Sequence, residues 1–285
     1  MMSEPDFISE ARIAILGLGL MGGSLALALR GHCRTLLACD PDLEALSLAR
    51  QRGVVDEVSP DPAEILPQAD VVILAAPLNT IFKLIDDLPS WHPGSAIVID
   101  LGSTKSRVVE ALKSLPPRFD PLGGHPMCGK EVAGLANAEA SIFQDAAFAF
   151  TPLERTSSRA RAFADGLAMV IGSRPVWLDP ATHDRWTAAT SHLPYLLAAA
   201  LSLATPAEAA PLVGPGFRST SRVAATPAGT MLDVLLTNRE NILKSLVGFR
   251  QQLEDLEGKL ARDETAVLKH ALDQGALRQR ELVKA

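Results

Sequence analysis

Gly17-Leu18-Gly19-Leu20-Met21-Gly22 follows without a break on an apolar run at residues 13–16. Glycines in this spacing, between a strand and a helix, leave a chain few folds to choose from. Gly17 permits a tight turn off the strand, and Gly19 removes the side chain where backbone must approach a pyrophosphate. Gly22 lets the following helix pack close to the sheet, and that helix's first N–H groups face the phosphates. The frame around the motif agrees. Arg12–Leu16 reads as a buried strand, residues 20–30 as a helix, and residues 35–40 as a second strand whose Asp40 follows Gly22 by 18 residues. A carboxylate there accepts hydrogen bonds from the adenosine ribose hydroxyls and repels a 2′-phosphate, so NAD is expected rather than NADP. A glycine-rich turn with no ligand is the competing reading, and the agreement of strand, helix and acid weighs against it.

The alternation continues. Residues 42–52 read as a helix and Val54-Val55 as the start of a short strand. Asp61-Pro62-Ala63-Glu64 reads as a helix start with an N-cap, a first-turn proline and a carboxylate at N3. Residues 70–76 make a buried strand, Pro77 follows at once, and a helix is expected over 80–88. Ala96–Asp100 is another strand, after which Gly102-Ser103-Thr104-Lys105 leads into a helix over 106–115. Strand, helix and strand are then expected at 147–151, 158–171 and 175–178. Such alternation with apolar strands predicts an α/β fold, a Rossmann-like, doubly wound, mainly parallel sheet. Ala76, Pro77 and Ser103, with Gly17, Gly19, Leu20, Met21, Gly22 and Asp40, are the expected cofactor contacts.

From Asp179-Pro180 onward no convincing strand remains. Residues 182–204 read as one long helix kinked at Pro194, which lacks a backbone donor, and Thr226-Pro227 opens another helix. Leu246, Phe249, Leu253, Leu256 and Leu260 recur at spacings of 3 and 4, which makes one apolar stripe. The stripe can serve as intramolecular core or as a helical dimer interface. Two domains are expected: an NAD-binding domain over 1–178 and an all-helical substrate-binding and dimerisation domain over 179–285, assembling a homodimer.

The 285 residues suffice for two domains with sizeable cores. A net charge of −6 makes no electrostatic case for nucleic acid. The longest near-continuous apolar stretch, residues 193–204, is interrupted by Pro and Ser and falls short of the about 20 residues a bilayer requires. Residues 1–10 are acidic and lack an apolar signal region. Cys33, Cys39 and Cys128 show neither CxxC nor metal-ligand spacing and read as reduced thiols. No membrane partner and no metal are expected, and the location is cytoplasmic.

Gly123-Gly124-His125-Pro126-Met127-Cys128-Gly129 reads as a loop between sheet and helices, where doubly wound proteins bind ligands beyond the strand ends. The glycines let backbone approach a ligand, Pro126 stiffens the loop, and an imidazole can take a proton near neutrality. A lone histidine of this kind is more often structural. Three further segments change that weighting: Gly102-Ser103-Thr104-Lys105 at a strand end, Ser191-His192-Leu193-Pro194 at the expected kink, and Gly216-Phe217-Arg218-Ser219-Thr220-Ser221-Arg222, which places two guanidinium groups in a polar loop.

Together with the GLGLMGGS segment these motifs resemble the prephenate/arogenate dehydrogenase family of tyrosine biosynthesis, over residues 12–260. The resemblance implies NAD-dependent oxidative decarboxylation of prephenate to 4-hydroxyphenylpyruvate, of arogenate to tyrosine, or of both. It implies His125 as the catalytic acceptor of the ring hydroxyl proton and Ser103 as a hydrogen-bond partner of that hydroxyl and of the histidine. Arg222 then pairs with the ring carboxylate, with Arg218 in support, while His192, Ser191 and the acidic Glu131 line the pocket. Two positions depart from the family pattern. Tyr195 stands where many members have a second histidine, and Ser219 where many have an acid after the arginine. Both fall near the part of the pocket that distinguishes a keto-acid from an amino-acid side chain, so both substrates stay open.

Other residues receive plainer readings. Cys128 is a small packing residue, and His183 with Asp184, in the first turn after Asp179-Pro180, are capping and surface groups. Lys105 neutralises phosphate or the Asp100 region. With the sequence ending at Ala285, no appended regulatory domain and no fused chorismate mutase are expected. Another NAD(P)-dependent dehydrogenase, of the 3-hydroxyacid dehydrogenase or imine reductase type, would keep the fingerprint without accounting for both the histidine and the arginine motifs. A non-catalytic NAD-binding sensor would need no proton acceptor.

Overall fold

The structure is a computed structural model that describes residues 7–284; part of the acidic N-terminal stretch lies outside them. Apolar runs without a polar face become interior strands, because helices cover both sides of a doubly wound sheet. After a one-turn helix α1 (Phe7–Glu10) come β1 (Arg12–Leu16), α2 (Leu20–Leu29), β2 (Thr35–Cys39), α3 (Leu43–Arg52) and β3 (Glu57–Ser59). There follow α4 (Pro62–Ile65), β4 (Val71–Leu74), α5 (Leu78–Trp91), β5 (Ala96–Asp100), α6 (Ser106–Lys113) and β6 (Phe119–Pro126). The sheet closes with β7 (Ala147–Pro152), α7 (Ser158–Val170) and β8 (Arg174–Trp177).

The strand order is β3-β2-β1-β4-β5-β6-β7-β8, with β7 antiparallel to β6 and every other pairing parallel. Side chains alternate between two apolar layers. Ile13 and Ile15 pack with Leu25, Leu29 and Phe163, whereas Ala14 and Leu16 pack with Ile81 and Ile85 on the other face. The order reverses between β1 and β4, and a crevice opens there beyond the carboxyl ends of the strands.

Four local expectations change. The strand expected at Val54 begins at Glu57, because the Val54 N–H bonds the Ala49 carbonyl behind Gly53, the left-handed cap of α3. The Gly123–Pro126 stretch is not a loop but the end of β6, paired with β7 from Leu122↔Pro152 to Pro126↔Phe148. A Cβ at Gly124 would stand 2.7 Å from the Asp100 carbonyl oxygen and 3.0 Å from Ile99 Cγ2, so this glycine serves close strand packing rather than ligand approach. The long helix expected over 182–204 is α8 (Pro180–Thr187), a π turn at Ala188–His192, and α9 (Leu193–Ala204). Pro194 cannot donate, and the chain widens one turn earlier, where the Leu193 N–H reaches back to Ala188. The arginine motif is helical rather than a loop: α10 (Pro215–Ser221) and a 3₁₀ turn over Arg222–Ala225, both packed on α9. Next comes α11 (Ala228–Thr237).

The compact unit that holds the sheet runs on to Asn238. A second unit consists of α12 (Arg239–Ala261) and α13 (Thr265–Lys284), which pack on each other across a turn where Asp263 has φ +52°. Among the described residues no helix is long and apolar enough to cross a membrane.

Candidate active site

The fingerprint turn is held from two sides. Gly17 sits at φ +107°, its N–H bonds the Cys39 carbonyl at 2.8 Å, and the Leu18 N–H donates to Asp40 Oδ2 at 2.6 Å. Asp40 Oδ1 accepts from the Asp42 N–H, so this carboxylate joins the turn to the end of β2. Two cavities meet at Gly19. One of about 480 Å³ is lined by Gly17, Asp40, Pro60, Ala76 and Pro77, and one of about 290 Å³ by Leu20, Met21, Ser103, Cys128, Thr226 and Val234. Gly22 lines neither; it faces the Gly17 carbonyl, where any Cβ would overlap. Helix α11 is tied across the crevice by Asn79 Nδ2 to Asp233 Oδ1 and Thr104 Oγ1 to Thr237 Oγ1.

The residues present fit a dinucleotide. A Cβ at Gly19 would meet nothing within 4 Å, and no side chain caps the first turn of α2. Its backbone N–H groups therefore face open space where a pyrophosphate's negative charge is favoured.

His125 stands at the carboxyl end of β6, set back from the cavity wall to which Cys128 and Gly129 belong. Its Nδ1 lies 2.9 Å from His183 Nε2, and His183 Nδ1 lies 2.9 Å from Asp184 Oδ1. Asp184 also accepts the Lys105 N–H at 2.7 Å and the Ser106 N–H at 2.8 Å. His183 and Asp184 are therefore not surface groups; they are 1% and 2% exposed, because α8 packs onto the start of α6. Burial opposes charge on Asp184, but hydrogen bonds from His183 and from Ser106 and Lys105 outweigh it and hold its carboxyl below the usual range.

This arrangement fixes the tautomers. A charged Asp184 demands a proton on His183 Nδ1, so His183 Nε2 accepts from His125 Nδ1–H and leaves the His125 Nε2 lone pair available. Among the described residues Nε2 has no hydrogen-bond partner, and it is not sealed from solvent. Burial, then His183, Lys105 and His192, push the His125 imidazole well below its usual range. His125 is a neutral base at neutral pH.

Lys105 does not reach a phosphate. Its ammonium is fully buried, paired with Asp100 and 2.6 Å from the Gly124 carbonyl. His192, on the π turn, is also buried; its Nδ1 meets Asn238 Nδ2 at 3.2 Å, and burial drives its pKa down to about 4. Arg222 is ion-paired with Glu131, whose neighbours Lys130 and Val132 line the smaller cavity. Arg218 is exposed, and Ser191 and Tyr195 are half-buried on the α9 side. None of these three lines the cavity, nor does His192. Cys128 packs on the core and forms part of the cavity wall.

Comparison with known proteins agrees with this geometry. Residues 25–174 match the nucleotide-binding domain of prephenate dehydrogenase and residues 179–274 its dimerization domain. The chain belongs to the prephenate dehydrogenase family. It is 29% identical to prephenate dehydrogenase of Lactococcus lactis, over 93% of this chain and 75% of that protein. It is 32% identical to the Bacillus subtilis enzyme, of whose length it spans 65%. With cyclohexadienyl dehydrogenase of Zymomonas mobilis it shares 30% identity over 90% of this chain and 92% of that one. Among solved structures, the Aquifex aeolicus prephenate dehydrogenase in complex with hydroxyphenyl propionate and NAD+ superposes with a TM-score of 0.88 at 27% identity, covering 96% and 99% of the two chains.

Proposed function

We propose that this protein catalyses the NAD-dependent oxidative decarboxylation of prephenate, arogenate or both. The observation that carries the reading is His125: a neutral imidazole with Nε2 available, beside a crevice built for a dinucleotide. When bound, NAD accepts the hydride, with its electron pair, from the ring carbon that bears the hydroxyl. His125 Nε2 takes that hydroxyl's proton, and Ser103, on the cavity wall, hydrogen-bonds the hydroxyl. Loss of CO₂ then restores an aromatic ring, so the reaction has a strong thermodynamic pull and the protein's task is chiefly positioning. Arg222 binds the ring carboxylate, with Arg218 beside it in chain. Its pairing with Glu131 supports this role, because the guanidinium is already directed to residues that flank the cavity.

The exposed leucines of α12 support a homodimer. Leu253 and Leu260 of the sequence stripe are 55% and 66% exposed, so α13, the other helix of their unit, does not bury them as core. The dimerization-domain match extends over this helix.

The test is direct. Purified protein is mixed with NAD and either prephenate or arogenate, and reduced nicotinamide is followed by absorbance. Turnover of at least one substrate is expected, with NAD used in preference to NADP. No turnover of either removes the proposal.

A further inference from the structure

The hydrogen-bonded line from His125 ends inside the protein. Beyond His183 it meets Asp184, whose oxygens are occupied by the backbone of Lys105 and Ser106, and both side chains are sealed from solvent. A proton entering this line can leave only by the way it came. The charges around it are unequal. Facing His125 are His183, His192 and Lys105, and no carboxylate bonds it directly. Facing His183 are Lys105 and Asp100, but also Asp184 at 2.9 Å. Burial lowers the proton affinity of both rings; only His183 has a hydrogen-bonded carboxylate pulling it back up.

Resting on the proposed function, we propose that His183 and Asp184 form a buried proton store, which holds the ring-hydroxyl proton during decarboxylation and returns it to the same oxygen. The proton balance fits such a device. As the hydride leaves, the hydroxyl proton bonds His125 Nε2 while the proton on Nδ1 passes to His183 Nε2, giving an imidazolium against Asp184. The ring C–CO₂ bond then breaks, and its electron pair completes the aromatic ring with a phenolate oxygen. That oxygen takes the proton back from His125 Nε2, and His183 Nε2 returns its own to His125 Nδ1. No net proton is released, so a closed line suits this chemistry better than an exit to solvent. His183 and Asp184 act through His125 as positioning and proton-holding residues.

The test has two arms. In the cofactor-free protein labelled with ¹⁵N-histidine, a pH titration should show His183 as the ring whose two nitrogens first move together to imidazolium shifts. His125 protonating first overturns the store. In the enzyme, Asp184→Asn removes the charge that makes His183 the better base. It should lower kcat about 10-fold or more and move the acid limb of kcat down by about one pH unit, with KM and NAD affinity changed by no more than about twofold. His183→Gln should do the same. Unmoved acid limbs in both variants would assign the pair a merely structural role. A wild-type enzyme inactive on both substrates would remove the proposed function, while the titration would still decide which ring holds the proton.

Discussion

In the proposed reaction His125 acts through what surrounds it. Buried and faced by His183 and Lys105, it is neutral at neutral pH, the state that the proposed role of proton acceptor needs. His125→Asn removes the acceptor while keeping a polar side chain of similar reach. We expect kcat to fall about 100-fold or more, with NAD affinity little changed by titration calorimetry. In the unaltered enzyme, kcat should stay level through neutrality and decline only below the ordinary imidazole pKa of about 6.5, as the base becomes protonated. A decline centred above 7 would contradict the neutral-base reading. Arg222 is a different case, 61% exposed and paired with Glu131. Arg222→Ala should raise KM for the ring substrate about 10- to 100-fold and leave NAD binding nearly unchanged. Lysine at this position should restore only part of the loss, lacking a two-point contact. If Arg218→Ala has this effect and Arg222→Ala does not, the two arginines have exchanged roles.

Among the elements, β6 is the piece that places His125. Gly124 lets β6 lie against Asp100, and Lys105 closes the same corner by bonding both Asp100 and the Gly124 carbonyl. Gly124→Ala puts a methyl 2.7 Å from a backbone oxygen that cannot swing aside. A cost of about 1–3 kcal/mol in stability is expected, seen as a lowered Tm, together with loss of activity as His125 shifts with its strand. An unchanged Tm would mean that the strands are not so closely packed. The π turn before Pro194 is the second such element. It turns His192 inward to Asn238 and away from solvent.

For the molecule as a whole, three buried histidines tie stability to pH. The folded-state values of His125, His183 and His192 all lie below the unfolded value near 6.5. Above pH 6.5 neither state binds these protons, and the full stability is present. As pH falls below 6.5 the unfolded chain takes up protons that the folded chain refuses, so stability declines. His192 alone, with its value near 4, contributes about 3 kcal/mol of this loss by pH 4. Thermal unfolding should show Tm dropping between pH 7 and pH 4.5, and His192→Gln should flatten that drop; a pH-independent Tm would contradict it. Assembly is tested at the same scale. Leu253→Asp with Leu260→Asp should convert a dimer into a 30.3 kDa monomer by light scattering, and a wild-type monomer would remove the dimer.

Much of this protein could be read along the chain because it is written in local chemistry. The fingerprint glycines, Asp40 at a strand end and the caps Asp61 and Asp179 each act within a few residues. Apolar runs likewise name interior strands wherever both faces of a sheet are covered. The partners of those residues are another matter. His183 and Asp184, one turn past an N-cap and a proline, look like surface residues in sequence. Only the packing of α8 on the start of α6 brings His183 to His125, 58 residues away, and buries both. The GGHP segment reads as a loop for a related reason. Its glycines and proline are turn residues locally, and their place in a strand depends on β5 and β7 lying against them. Motif and periodicity specify what each segment is. Strand order and helix docking decide which side chains lose water together, and hence which imidazole is kept neutral with an open nitrogen.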